Sequence, residues 1–193
     1  MAFQQNGYTL VPQAVTYDEW RHYALTHGVN VDFAWGNQCW DICALLWYQY
    51  GLRLETGPLG YAKECWLVSR NVNARPPFIQ IPDLANVKRG DVLVFTGYGT
   101  YRTGHIGFAD QDYNGSGRID VLGQNQGQGI GYGTPSNVVS MGTVNFLGAF
   151  RNTKWETAPS PEPEPATKGR DNKFNWVLYG RKLRNRRRFN NVI

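Results

Sequence analysis

The sequence predicts an α+β fold in which N-terminal helices pack on an antiparallel sheet. Residues 16–69 carry helical apolar patterns with capping signals, whereas residues 91–150 consist of short apolar runs bounded by glycines. Helices followed by strands, rather than alternating with them, are typical of this class. The 193 residues are enough for one domain with a substantial core and an appendage.

Three helices are expected in the first part of the chain. The first opens with a capping box formed by Thr16 and Glu19. The second begins at Cys39 and is apolar nearly all round, so it should lie at the centre of the core. The predicted helices span residues 16–27, 39–50 and 60–69.

Five strands are expected after residue 90. The segment 112–117 is rich in Asp, Asn, Gly and Ser and predicts a hairpin turn. Residues 110–115 imitate the start of an EF-hand calcium loop, but the twelfth position is Val121 and strands flank the segment. We therefore interpret it as a turn. The predicted strands cover residues 91–95, 104–110, 118–122, 137–141 and 144–150.

The C-terminal region differs in composition from the rest of the chain. Proline occupies every second position from Pro159 to Pro165, which predicts an extended polyproline spacer about 28 Å long at ~3.1 Å per residue. Residues 168–193 hold nine Lys and Arg against one Asp, whereas residues 1–167 have a small acidic excess. The predicted organisation is a domain over 1–157, a linker over 158–167 and a basic tail over 168–193.

The basic tail also contains aromatic residues and admits three interpretations. It could bind anionic wall polymers or nucleic acid, dock on a partner protein, or remain a solvated charged segment. No apolar run approaches the ~20 residues of a membrane helix, and the first residues lack the pattern of a secretory signal. We therefore expect synthesis in a cytoplasm without a signal peptide. The three cysteines match no disulfide framework or zinc-ribbon spacing, which favours free thiols.

Cys39 is the candidate nucleophile. At a helix N-terminus its thiol meets unpaired backbone N–H groups and the positive end of the helix dipole, which favour the thiolate. The alternative is a buried cysteine that acts only as a small hydrophobic residue. The choice depends on whether a base lies further along the chain.

His105 is the candidate base, while His22 and His27 on the first helix are assigned structural roles. Its neighbours Gly104 and Gly107 leave room for a substrate backbone beside the imidazole. Asn125 could accept a hydrogen bond from the ring and hold its tautomer. Cys, His and Asn in this order repeat the nucleophile, base and orienting group of papain-like sites.

Five motifs in the same order resemble a CHAP domain, the papain-fold module of phage lysins and other peptidoglycan hydrolases. The resemblance covers roughly residues 16–155. The motifs are residues 30–41 around Gly36-Asn37-Gln38-Cys39-Trp40-Asp41, then Arg89-Gly90-Asp91-Val92, Gly104-His105-Ile106-Gly107, Gln124-Asn125, and Phe146-Leu147-Gly148-Ala149-Phe150-Arg151.

The resemblance implies hydrolysis of an amide bond in peptidoglycan by a Cys-His-Asn mechanism. Cys39 would attack the carbonyl, His105 would move the proton, and Asn125 would orient His105. The Cys39 backbone N–H and the Gln38 side chain would stabilise the oxyanion. The chain departs from the family at Gly123, where many phage CHAP domains carry a glutamate two residues before the asparagine.

The resemblance also implies a calcium site in the loop before the nucleophile, as in some lysins. Oxygen ligands on a flexible loop suit Ca²⁺, although Asn30 stands where a carboxylate is common. The alternative is that these residues only form turns and favour the helix start. The expected ligands are Asn30, Asp32 and Asp41, with main-chain carbonyls at Ala34 and Gly36.

The expected function is that of a phage peptidoglycan hydrolase carried in the virion, in its tail, with residues 168–193 contacting other tail proteins. The alternatives are a free endolysin that lyses the host and a catalytically silent structural tail protein. Trp35 and Trp40 bracket the cysteine in sequence. They could stack on substrate or pack in the core.

Overall fold

The computed structural model describes residues 16–73, 77–97, 102–127 and 134–156, together with the backbone of two short strands near the N-terminus. These strands, β1 (Gln4–Gln5) and β2 (Tyr8–Thr9), pair in antiparallel fashion. The linker and tail predicted over 158–193 lie outside the described residues.

Two main helices form where the sequence predicts them. α1 (Tyr17–Thr26) begins after Thr16, whose hydroxyl accepts the Glu19 N–H at 3.2 Å while the Glu19 carboxylate accepts the Thr16 N–H at 3.2 Å. This is the predicted capping box. α2 (Cys39–Gln49) begins at Cys39, as expected.

The prediction of a single α-helix over residues 60–69 is wrong. The structure has a 3₁₀ helix at Ala62–Leu67, followed by the short α3 (Arg70–Asn73). The Lys63 N–H donates to the carbonyl of Thr103 at 3.3 Å, outside the helix. The segment therefore lies against the approach to the histidine strand instead of forming a regular α-helical ladder.

Six strands form one sheet in which all neighbours are antiparallel. Across the sheet the strands lie in the order β3-β8-β4-β5-β6-β7. The short helix α4 (Thr153–Glu156) follows β8 in the chain. The sequence analysis missed β3, a four-residue edge strand that pairs only with β8. The strands are β3 (Phe78–Ile81), β4 (Val92–Phe95), β5 (His105–Ala109), β6 (Arg118–Gly123), β7 (Asn137–Gly142) and β8 (Phe146–Asn152).

The core has two parts because successive strand residues point to opposite faces of the sheet. Along β4, Val94 belongs to the cluster that contains α1 and α2, whereas Phe95 belongs to a second cluster. α2 packs across β5, and its Trp47 stacks on Phe78 at 3.8 Å between ring centroids. None of the helices in the described ranges is long and apolar enough to cross a membrane.

A buried ion pair joins the start of β4 to the end of β8. The Arg151 guanidinium donates to both carboxylate oxygens of Asp91, each at 2.9 Å, and the Asp91 side chain is 2% exposed. The same carboxylate accepts the Lys88 N–H at 2.8 Å. Two of the sequence motifs therefore meet in one structural contact.

We expect Asp91→Asn to lower the free energy of unfolding by about 3 kcal/mol, because it leaves the Arg151 charge buried without its partner. Asp18→Asn is the matched control, since it breaks the exposed Arg89–Asp18 pair of 2.6 Å. The control should cost less than about 1 kcal/mol. Urea unfolding of both variants measures the difference, and equal small losses would contradict the structural role of Asp91.

Candidate active site

A buried carboxylate fixes the first turn of α2. Asp41 is fully buried, and its two oxygens accept the N–H of Val31 at 2.8 Å and that of Gln38 at 2.7 Å. Gln38 is the N-cap residue in extended conformation. Asp41 therefore ties the preceding loop to the helix start, and this places Cys39 at the junction.

The loop before Cys39 presents aromatic side chains in unusual backbone conformations. Phe33 and Trp35 have φ angles of 62° and 61°, a left-handed region that non-glycine residues rarely occupy. Trp35 is 84% exposed and Phe33 is 55% exposed, whereas Trp40 is half-buried and packs against the core. Of the two tryptophans, Trp35 is therefore exposed and can contact substrate, whereas Trp40 packs against the core.

The Cys39 thiol lies against the backbone of β5. Hydrogen bonds with the backbone of Ile106, Trp40 and Cys39 itself favour its ionised form, but burial outweighs them and raises the pKa of the thiol to about 11. Burial thus opposes the thiolate that the helix start was expected to favour. Cys39 keeps 9% of its surface exposed.

His105 is the first residue of β5 and directly precedes Ile106, against which the thiol rests. The imidazole is almost fully buried. Burial lowers its pKa to about 4, and the hydrogen bond with Gln126 opposes this shift. The resting site is therefore a neutral thiol beside the strand that carries a neutral imidazole.

The glycines around His105 make room for the protein chain itself. A Cβ at Gly104 would lie 2.7 Å from both the Lys63 nitrogen and the Phe95 oxygen, and one at Gly107 would lie 2.7 Å from the Val121 side chain. The expectation that they leave space for substrate is therefore wrong. They allow the 3₁₀ helix and the neighbouring strands to approach β5 closely.

Three consecutive amide side chains follow β6, and each contacts a different part of the site. Gln124 accepts the Val29 N–H at 2.7 Å and donates to the Val29 carbonyl at 2.8 Å and the Gln38 carbonyl at 3.0 Å. The Asn125 amide donates to Gln38 Oε1 at 3.1 Å. Gln126 Oε1 lies 2.7 Å from His105 Nε2.

The contact with the imidazole that the sequence analysis assigned to Asn125 is therefore made by Gln126. Asn125 has a φ of 53°, and this left-handed turn breaks the strand alternation, so the three side chains can reach three separate partners. The run of amides is visible in the sequence. Which of them reaches His105 depends on the turn, which no sequence pattern marks.

The Gln38 side chain lies beside the nucleophile and is held at both ends. Its Nε2 donates to the Trp35 carbonyl at 2.6 Å, and its Oε1 accepts from Asn125. Among the contacts within the described ranges, this uses one of its two N–H groups. The second N–H group is the one that the predicted oxyanion role of Gln38 would use.

The expected calcium ligands lie on the same loop and around the helix start. Asp32 Oδ1 accepts the Ala34 N–H at 2.8 Å, and Asn30 is buried. Burial, with a smaller contribution from the Asp32 charge, raises the pKa of Asp41 to about 7. No arginine or lysine in the described parts of the chain forms an ion pair with Asp32 or Asp41.

In chemical type the predicted ligands suit a hard cation, since they offer carboxylate, amide and carbonyl oxygens and the described residues show no ion pair on either aspartate. A cluster of three or more His, Cys, Asp or Glu that could hold a metal is absent from the described residues. A calcium ion here would depend on Asn30 and main-chain carbonyls as well as on the two aspartates. The lookalike segment 110–117 instead joins β5 to β6 as the predicted turn.

Comparison with known proteins identifies the fold and the family. No curated protein sequence matches the chain. The crystal structure of a wild-type endolysin, LysIME-EF1, shares the fold with a TM-score of 0.55 at 21% identity, over 72% of this chain and 64% of the endolysin chain. The chain thus spans less than two thirds of that protein.

A family model described as the CHAP domain matches residues 28–125, about half of the chain, and includes Cys39, His105 and Asn125. The predicted α+β fold and the resemblance are both confirmed. This chain belongs to the CHAP domain family of cysteine-dependent amidases and peptidases.

Proposed function

We propose that this chain is a phage peptidoglycan hydrolase that cleaves an amide bond of the bacterial cell wall. One observation carries the proposal: in a CHAP domain, the thiol of Cys39 at the start of α2 rests on the backbone of β5 immediately after His105. The endolysin whose fold this chain shares supports the same substrate class.

In the proposed reaction His105 acts as a general base, because the resting thiol is neutral. The imidazole takes the thiol proton as the sulfur attacks the carbonyl carbon. The resulting oxyanion receives hydrogen bonds from the Cys39 backbone N–H and the Gln38 side chain. His105 then gives the proton to the departing amine.

A water molecule completes the cycle by hydrolysing the thioester on Cys39. His105 takes a proton from this water, which attacks the thioester carbonyl, and the proton returns to the departing sulfur. Trp35 supports binding, because it is the large exposed ring nearest in sequence to the nucleophile and can stack on a sugar or a stem peptide.

We also propose that the loop before Cys39 binds a structural calcium ion. Asn30, Asp32 and Asp41, with the carbonyls of Ala34 and Gly36, would hold it. The ion would supply positive charge between two neighbouring carboxylates and stabilise the loop conformation. No proton transfer passes through it.

For the location of the enzyme we propose the virion, with the basic tail 168–193 bound to other tail proteins of the phage. The Pro/Glu-rich spacer and the concentration of positive charge after it support a segment separate from the catalytic domain. The endolysin neighbour favours the alternative of a free lysin, in which the tail would bind the wall. Binding of the tail to nucleic acid is a weaker alternative.

We expect Cys39→Ala to reduce the release of fragments from purified peptidoglycan by about 10⁴-fold or more, because the nucleophile is lost. Cys43→Ala is the matched control: Cys43 is fully buried one helical turn further along α2 and should be dispensable for chemistry. Mass spectrometry of the fragments measures the rate and identifies the scissile bond. Equal, negligible release by wild type and Cys39→Ala would instead indicate a silent structural protein.

Removal of calcium should lower the melting temperature of the full chain, and added Ca²⁺ should restore it. Asp32→Asn should abolish this response, since the asparagine oxygen can still accept the Ala34 N–H while the charge is lost. Asp112→Asn in the hairpin turn is the matched control and should leave the response intact, because Asp112 lies outside the proposed site and its Oδ1 accepts the Arg89 N–H. A melting temperature insensitive to chelator and Ca²⁺ would exclude the site.

Truncation at Pro159 should separate the proposed location from its alternative. If the tail anchors the enzyme, phage particles should lose the protein while the truncated domain still digests peptidoglycan. Immunoblots of purified virions and wall-digestion assays on the truncated domain provide the two measurements. Unchanged virions together with reduced binding to cell walls would support the free endolysin instead.

A further inference from the structure

We propose that Gln126 is the residue that positions His105 for catalysis, and that Gly123 is a glycine because the Gln126 amide occupies the space of a side chain at that position. The inference deepens the proposed function and rests on it, since His105 acts as a base only if the chain is a hydrolase. Neither residue belongs to the Cys-His-Asn set that the sequence indicates.

The Gln126 side chain is held in a single orientation. It is 1% exposed, and its Nε2 donates to the carbonyls of Val121 at 2.6 Å and Asn137 at 2.9 Å. Both N–H groups are therefore used on carbonyl oxygens, so Oε1 is the atom that faces His105. A reversed amide would bring its oxygen against two carbonyls.

The fixed amide determines the tautomer of the neutral imidazole. Because Gln126 Oε1 can only accept a hydrogen bond, His105 Nε2 must donate the proton across the 2.7 Å contact. The lone pair then lies on Nδ1. Gln126 thus selects the tautomer in which Nδ1 is the basic atom, the role that an orienting group has in such sites.

Gly123 is required by space rather than by backbone conformation. Its φ lies outside the left-handed region, so other residues could adopt its backbone. A Cβ at this position would, however, lie 2.8 Å from Gln126 Oε1 and 3.2 Å from Gln126 Cδ. The amide that reaches back from residue 126 fills the place that a side chain at residue 123 would take.

The arrangement places a neutral partner beside His105. Asn125 is engaged with Gln38 at the other side of the nucleophile, and a glycine at 123 supplies no carboxylate. A carboxylate partner would stabilise the imidazolium, whereas an amide fixes the ring without charge. Gln126 therefore orients the base while leaving it neutral in the resting enzyme.

The test compares Gln126→Ala with Gly123→Ala in the full chain. Both should lower kcat by about 100-fold with little change in KM, because both remove the amide from the imidazole and misplace the base. The double variant should be no slower than Gln126→Ala, since the added methyl then enters empty space. Gly142→Ala is the matched control in β7, where no described residue other than the two chain neighbours has an atom within 4 Å of the added Cβ, and should keep full activity.

Nitrogen NMR of the labelled imidazoles gives a readout that does not depend on activity. His105 is identified by its loss in His105→Gln. In the wild type its Nε2 should be protonated and Nδ1 unprotonated, and the two variants should convert this state to a mixture of tautomers. If Gln126→Ala does not fold, Gly123→Ala carries the test, because it leaves both carbonyl partners and the glutamine in place.

An unchanged tautomer and unchanged kcat in the folded variants would overturn the proposal, as would a tautomer shift in Asn125→Ala but not in Gly123→Ala. If the wild type releases no peptidoglycan fragments while the NMR result holds, the proposed function fails and the contact stands as structural. If the wild type cleaves peptidoglycan but the His105 tautomer does not change in the Gly123 and Gln126 variants, the proposed function is supported and the role of Gln126 is refuted.

Discussion

The placement of the nucleophile depends on a requirement common to all protein interiors: a buried polar group needs hydrogen-bond partners. Asp41 meets it by accepting two backbone N–H groups, one from the loop and one from the N-cap of α2. Gln124 meets it from the sheet side with three bonds to Val29 and Gln38. Each group left without its partner would cost about 1–3 kcal/mol, so the loop, the helix start and the end of β6 stay together.

The same requirement gives the site its electrostatic character. The Gln126 amide is a hydrogen-bond partner of His105, and burial disfavours charge on both the thiol and the imidazole. In the proposed mechanism the thiol and the imidazole therefore start as neutral groups, and charge would develop as the sulfur attacks. Under the same proposal, donors that are already held in place, such as Gln38 and the start of α2, would favour the transition state over the resting state.

The parts that the sequence could predict are those fixed by local interactions. The capping box of α1 lies within four residues, and the apolar runs of β4 and β5 are buried along their whole length. The 3₁₀ helix at Ala62–Leu67 depends instead on a bond to Thr103, forty residues away. Edge strand β3 was missed because its hydrophobic pattern is weak and its pairing partner β8 lies far along the chain. Long-range partners cannot be read from a single sequence.

The candidate site shows this division at the scale of single residues. Cys39 and His105 could be proposed from residue type and position, and both lie at the meeting of α2 and β5. Their supporting groups could not, because the left-handed turn at Asn125 decides which of three neighbouring amides reaches the imidazole. Likewise, only the structure shows that the Cys39 thiol is buried enough for desolvation to exceed the influence of the helix start.

The motifs that identify the family therefore carry different kinds of information. Asp91 and Arg151 come from two of them and form a buried ion pair far along β4 and β8 from His105, and a Cβ at Gly148 would overlap the ring of Trp66. These residues stabilise the packing of the sheet, and their presence does not indicate catalytic activity. In the proposed mechanism, activity depends on the other end of β5, where a base is useful only if its proton lies on the correct nitrogen. Under our proposals a chain could keep every packing motif of the family and still lose catalysis through the short segment 123–126, and that segment would then distinguish a working hydrolase from a structural relative.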